Sequence, residues 1–309
     1  MSLRVIVIGS RGSQLALWQA HHIAAKLADL GVETRIEIIK TTGDRITDVP
    51  LATVGGKGLF TKEIEEALLA GAIDVAVHSL KDVPSEVPAG LTLAAIPERE
   101  DPRDALIGRP LEELGDGARV GTSSLRRASQ LRALGQGIAI EMLRGNVDTR
   151  LRKLDQGDYD AIVLAAAGLK RLGLEHRIRE LLPPAIMCPA VGQGALAIET
   201  RMDDEAFRLA RQLDHAESRI AITAERALLA ALEGGCQVPV GGYAVVSGAT
   251  LHLRAIVASP DGSRVVRGEQ SGEVSGGSLG DQPARMGTAL ANDLLSRGAR
   301  EILSEVYAS

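Results

Sequence analysis

Three times along this chain, a short apolar run ends in a knot of hydroxyl, glycine and arginine residues and then gives way to a helical pattern. Ser10-Arg-Gly-Ser13 follows the apolar run Arg4–Gly9, Thr122-Ser-Ser124 with Arg126-Arg127 follows Arg119–Gly121, and Arg144-Gly-Asn146 follows Ile138–Leu143. Strands that feed directly into helices leave few folds open, because successive strands then lie mostly parallel with helices covering the sheet. Each junction also sets helix N-terminal N–H groups and a positive dipole end beside a guanidinium, which together bind anions. Any single junction is better explained by an ordinary N-cap with a solvated arginine nearby. Their clustering argues for a ligand. Arg119–Lys153 holds eight basic and two acidic residues, a window of +6 in a chain of net charge −5, leaving −11 for the rest. A basic centre in an acidic chain suits a small anion better than nucleic acid. Aromatic residues, at 2%, are too sparse for base-stacking platforms.

The same rhythm orders the rest. A helix to about Leu30 leads to a strand Thr34–Ile39, then a polar, glycine-bearing mobile loop, Lys40–Lys57. A helix Phe60–Ala70 precedes a strand Asp74–His78 and the turn Ser79-Leu-Lys-Asp-Val-Pro84. Pro97–Pro110, rich in proline and charge, reads as a crossing between domains. Strand and helix then alternate through Arg171 until a second crossing at Ala185–Gly194, after which Ala195–Glu199 fits a strand returning to the first sheet. From Tyr243 the pattern becomes antiparallel, with turns at Gly248 and Pro260-Asp-Gly262, and the chain ends in a helical stretch from about Pro283 to Val306. The domains expected are 1–98 with 195–213, 99–194 and 214–309, two doubly wound α/β lobes and a small α+β domain.

Of two cysteines, Cys188 sits in an apolar run and reads as core. Cys236 lies in Glu233-Gly-Gly-Cys-Gln-Val-Pro-Val-Gly-Gly242, after a helix His215–Leu232 whose C-cap is expected at Gly234 and Gly235. On the loop alone it fits a buried small hydrophobe as readily as a metal ligand, a nucleophile or an attachment point taken together. A helix C-terminus raises a thiol pKa, which disfavours the nucleophile. No His, Cys, Asp and Glu set has metal-ligand spacing, and no Walker A loop occurs. Asp82 beside Lys81 ends a strand where open α/β sheets bind ligands, and reads either as a surface ion pair or as an acid placed for proton transfer. Few cysteines, no apolar run of membrane length and no signal-like N-terminus point to the cytoplasm.

Ser10-Arg-Gly-Ser-Gln-Leu-Ala-Leu-Trp-Gln-Ala20, Thr42-Gly-Asp44, Gly58-Leu-Phe-Thr-Lys-Glu63, His78-Ser-Leu-Lys-Asp-Val-Pro84, Gly121-Thr-Ser-Ser-Leu-Arg-Arg127, Arg144-Gly-Asn-Val-Asp-Thr-Arg150, Gly192-Gln-Gly194 and Gly234-Gly-Cys-Gln-Val-Pro239 resemble, in order, the motifs of the porphobilinogen deaminase (hydroxymethylbilane synthase) family. The match weakens after about Gly248. The resemblance implies a transferase of porphyrin (heme) and other tetrapyrrole biosynthesis, two periplasmic-binding-protein-like lobes with a C-terminal domain, and a monomer that touches neither nucleic acid nor membrane. It implies condensation of four porphobilinogen molecules head to tail into linear hydroxymethylbilane with release of ammonia. The cofactor implied is a dipyrromethane, held by a thioether at Cys236, and the catalytic acid is Asp82. Carboxylate binding falls on Arg11, Ser13, Lys81, Thr122, Ser123, Ser124, Arg126, Arg127, Arg144, Arg150, Arg171 and Gln193, and the active-site loop on Lys57 and Phe60. Cys188 stands where leucine is expected. Each pyrrole carries an acetate and a propionate, so the +6 window suits an oligopyrrole, whose carboxylates need pairing when buried. Two other functions fit the junctions. A solute-binding module gives Cys236 no role, and a phosphate-handling transferase lacks its fingerprint loops.

Overall fold

The computed structural model describes residues 5–45, 58–233, 238–274 and 281–308. They fall into two compact units, Met1–Glu100 with Ala195–Arg219, and Asp101–Gly194 with Ile220–Ser309. The strands are β1 Ile6–Ser10, β2 Thr34–Ile38, β3 Val75–Ser79, β4 Leu91–Ala95, β5 Asp104–Gly108, β6 Arg119–Gly121, β7 Ala139–Glu141, β8 Ala161–Ala165, β9 Glu180–Leu182, β10 Leu196–Arg201, β11 Val240–Ser247, β12 Thr250–Ala258 and β13 Val265–Glu273. The helices are α1 Gln14–Asp29, α2 Thr42–Arg45, α3 Lys62–Leu69, α4 Leu125–Arg132, α5 Val147–Asp155, α6 Ala166–Arg171, α7 Glu205–Arg211, α8 Ala216–Ala231, α9 Gln282–Leu294 and α10 Arg300–Ala308.

The first unit is built on one sheet, ordered β2-β1-β3-β10-β4. Alternation along β3 divides its side chains. Val75 and Val77 pack with Ile23 and Leu27 of α1, while Ala76 packs with Ile64 and Leu68 of α3 on the other face. The expected return strand is present as β10, but it runs antiparallel to both β3 and β4, so the sheet is mixed rather than mostly parallel. The reason is connectivity. β10 enters from a distant segment, without the helical crossover that makes neighbours parallel.

The second unit repeats the plan as β7-β6-β8-β5-β9, with Leu131 of α4 on one face and Leu151 of α5 and Leu169 of α6 on the other. Here the expectation for Pro97–Pro110 needs correcting. Within that passage Asp104–Gly108 forms β5, antiparallel to β8 and β9, and its first four residues are buried. Asp104 hid the strand, since a carboxylate at a core position breaks the apolar pattern unless partners elsewhere neutralise it.

The same unit carries the antiparallel sheet β11-β12-β13, covered by α8 and α9. A Cβ at Gly287 would stand 2.1 Å from the Ala224 carbonyl oxygen, so the two helices cross where only glycine fits. The terminal helical stretch is not continuous. It kinks at Leu295–Ala299, where Gly298 has φ 105°. At the end of α8, Glu233 is left-handed, at φ 53°; the glycines expected to cap the helix, Gly234 and Gly235, lie outside the described residues.

Candidate active site

The first unit holds a pocket at the C-terminal ends of β1 and β3. Arg11, Ser13, Gln19, Phe60, His78, Ser79 and Asp82 are among its lining residues. Local chemistry sets each of them. Ser13 caps α1 by accepting a hydrogen bond from the Ala16 N–H at 3.3 Å, leaving the helix N-terminus open toward the pocket. Gln19 reaches from α1 and donates to Ser79 Oγ at 2.8 Å, bracing the end of β3. A single 3-10 turn, Leu80–Asp82, buries Leu80 and leaves Lys81 and Asp82 half-buried at the sheet edge.

Arg11 is held from two sides. Its guanidinium carbon lies 4.1 Å from the centroid of the Phe60 ring, and its Nε donates to Asp44 at 3.0 Å. Burial works against ionisation of Asp44, but hydrogen bonds from Arg11 and Thr41 and the charge of Arg11 outweigh it and hold the carboxyl below its usual range. Gly43 lies so close to Phe60 that a Cβ there would meet the ring at 2.2 Å. The Thr42-Gly-Asp44 motif therefore works as a mount for Arg11.

In the second unit the organising residue is Asp104, fully buried at the start of β5. It accepts from Arg126 at 2.8 Å, from Arg127 Nε at 2.9 Å and from Gln193 Nε2 at 3.0 Å. Burial alone would raise its carboxyl, yet the two guanidinium charges hold it well below the carboxylate range. Arg127 also donates to the Val163 carbonyl, and Arg126 to that of Cys188. Around this centre the like charges crowd. Arg150 is pushed down to about 10, first by desolvation and then by the charges of Arg127 and Arg144. Its Nε is spent on the Gly145 carbonyl at 2.7 Å. Thr122 Oγ1 accepts from the Ser124 N–H, and Ser124 caps α4. Ser123 is exposed, and Arg171 is tied to the Gly194 carbonyl at 2.6 Å.

Of the residues expected to act, Arg11, Ser13, Phe60 and Asp82 thus line one pocket, with Lys81 beside Asp82. Arg126, Arg127 and Gln193 converge on Asp104, and Arg127, Arg144 and Arg150 form one field of positive charge. Lys57 and Cys236, with Gly234 and Gly235, lie outside the described residues. Cys188 is buried among core residues, and burial pushes its thiol up to about 12. Sequence reasoning missed Asp104, Asp44, Gln19 and Glu199. Asp44 stood in a quoted motif, but its place near the start of a long polar segment gave no sign of its partner.

A mixed α/β unit with a polar pocket at its strand ends, in one chain with a unit that carries a desolvated arginine field, is the plan of an α/β protein that binds anions at its strand ends. The chain belongs to the porphobilinogen deaminase family. Residues 6–209 match the family model described as porphobilinogen deaminase, dipyromethane cofactor binding domain, and residues 219–296 match that of the porphobilinogen deaminase C-terminal domain. A protein of Syntrophobacter fumaroxidans described as porphobilinogen deaminase is 51% identical over 313 residues, covering 99% of each chain. Among solved structures, a periplasmic substrate-binding protein from Coxiella burnetii overlays with a TM-score of 0.44 at 13% identity, over 68% of this chain and 91% of its own. Among the described residues, no helix is long and apolar enough to cross a membrane.

Proposed function

We propose that this chain is a hydroxymethylbilane synthase: it deaminates porphobilinogen and joins four units head to tail, with a dipyrromethane tethered through Cys236 as primer. The observation that carries this reading is the gathering of Arg127, Arg144 and Arg150, where desolvation first, and then the charges of Arg127 and Arg144, push Arg150 down to about 10. Such a field suits a ligand bearing several carboxylates, and each pyrrole of an oligopyrrole bears two. Arg126, Arg127, Arg144 and Arg150, with the α4 N-terminus, are the residues in the second unit that would hold those carboxylates. The tether supplies a pyrrole with a free α-carbon, the nucleophile for the first addition.

The chain's own residues then do the following. Arg11, mounted on Phe60 and Asp44, grips a substrate carboxylate at the pocket of the first unit. Lys81 adds positive charge at the same sheet edge. Asp82 accepts the pyrrole N–H and stabilises the positive charge that develops as ammonia leaves. Its position on a one-turn helix at the end of a buried strand fixes the carboxylate without enclosing it. Lys57 is assigned to the active-site loop by the family resemblance alone. We also keep three domains, 1–98 with 195–213, 99–194 and 214–309, supported by a separate sheet in each. We place the enzyme in the cytoplasm as a monomer, on the sequence grounds given above.

Intact mass tests the tether. The purified protein should exceed its sequence mass by two pyrrole units, and Cys236→Ser should lose that addition. A folded, unmodified wild type that releases no ammonia from porphobilinogen overturns the proposal. Asp82→Ala should keep the covalent addition while turnover falls by on the order of 10^2 or more; turnover like wild type refutes the assigned role.

A further inference from the structure

The pocket of the first unit has a second titratable group that the scheme above leaves idle. His78 is buried on β3 and lines the pocket with Asp82 and Arg11. Its Nε2 stands 3.0 Å from Oε2 of Glu199, which is fully buried on β10. Register explains the meeting. Glu199 sits opposite Ala76, so it shares a face with His78 two residues along β3, a diagonal cross-strand pair. The other oxygen of Glu199 has no hydrogen-bond partner among the described residues. Glu65, from α3 on the same face, is pushed up by its burial, and the charge of Glu199 adds to that.

A buried carboxylate with one oxygen unsatisfied is a costly way to hold two strands together, since apolar side chains of the same size would serve better. What the pair does achieve is orientation. With Nε2–H donated to Glu199, the proton-accepting nitrogen of the imidazole is Nδ1. The reaction needs such a base. Each addition breaks the C–N bond to ammonia and one C–H bond at the accepting pyrrole's α-carbon, and makes one C–C bond. The electron pair of the C–H bond returns to the pyrrole ring, and its proton must be taken up.

We propose that His78 takes up this α-carbon proton, with Glu199 as the positioning residue that fixes its tautomer; the proton then passes to the departing ammonia or to water. The inference rests on the deaminase reading above. The groups that face His78 are Glu199 from β10, Glu65 from α3, Asp82 from the turn after β3 and Arg11 from the loop after β1. Of these, only Glu199 holds the imidazole within hydrogen-bond distance.

The test uses the dipyrromethane-loaded enzyme with porphobilinogen deuterated at its free α-carbon, comparing wild type, His78→Gln and Glu199→Gln. In His78→Gln, turnover should fall by on the order of 10^2, and a primary isotope effect absent from wild type should appear. Glu199→Gln keeps shape and hydrogen bond but removes the charge. Its amide can donate as well as accept, so the imidazole tautomer is no longer fixed and maximal turnover should drop. Imidazole 15N spectra give a reading independent of turnover: the neutral ring of His78 should be the Nε2–H tautomer in wild type, and Glu199→Gln should let the Nδ1–H tautomer appear. An unchanged isotope effect in the folded variants, or an unchanged imidazole tautomer, overturns the inference. If His78→Gln fails to fold, the near-isosteric Glu199→Gln decides. Wild type that releases no ammonia from porphobilinogen defeats the deaminase reading itself, a separable failure.

Discussion

Replacing Asp104 by asparagine removes one charge from the middle of the second unit and little else. The carboxylate is fully buried and takes hydrogen bonds from Arg126, Arg127 and Gln193. The amide in its place would keep the volume and one acceptor, but two buried guanidinium groups would lose their counter-charge. Breaking a buried ion pair from one side costs about 3–5 kcal/mol. The retained carbonyl argues for the lower end, about 3 kcal/mol, or roughly a 150-fold rise in local opening. Hydrogen exchange read by mass spectrometry on peptides covering β5 and α4 measures that opening directly. The pH dependence adds a second check. The folded carboxyl of Asp104 is held below its ordinary value, so its stabilisation is complete above the unfolded pKa and is lost only as pH falls through the lower, folded one. The gap between wild type and Asp104→Asn should therefore stay constant from about pH 8 to about pH 5. Exchange within about threefold of wild type, or a gap that shrinks across that range, would show that the arginines do not depend on Asp104.

Gly43→Ala drives a methyl group into the Phe60 ring and toward the Leu59 carbonyl, so the mount of Arg11 should give way at a cost of about 1–3 kcal/mol; steady-state kinetics should show a raised KM for porphobilinogen. Arg150→Gln relieves repulsion from Arg127 and Arg144, so stability should hold while substrate affinity falls and its dependence on salt weakens, as measured by KM across ionic strength. The Cys188 thiol, buried and pushed up to about 12, stays protonated, and a tethered Cys236 offers no thiol. Native loaded enzyme should therefore take no thiol label, and urea-unfolded enzyme one, on Cys188.

What could be read from the residues was whatever repeats locally. β1 into Ser10-Arg-Gly-Ser13 into α1 is a contiguous signal, and so is β6 into Thr122-Ser-Ser124 into α4, and the structure reproduces both. β5 was illegible because its first residue is an aspartate whose neutralising arginines lie 22 and 23 positions away. The same holds for function. Arg126 and Arg127 stood out by charge and clustering, but their shared counter-ion did not. His78 lay in plain view within a motif, while Glu199, which gives it an orientation, is 121 residues further on. Local periodicity carries the elements, and long-range pairing carries the pKa values.

The place of β10 in the first sheet also sets a timetable. The chain leaves that unit after Glu100 and returns only at Ala195. On a ribosome adding about 5–20 residues per second, residues 101–194 occupy roughly 5–20 s, during which β3 and β4 wait without the strand that pairs with both. Open strand edges of this kind recruit other chains. A nascent chain stalled before Ala195 would hold Asp82 and His78 but neither the edge partner nor the carboxylate of Glu199. The pocket is thus assembled late in synthesis, and the interval in which the second lobe is being made is when this chain most needs protection from its neighbours.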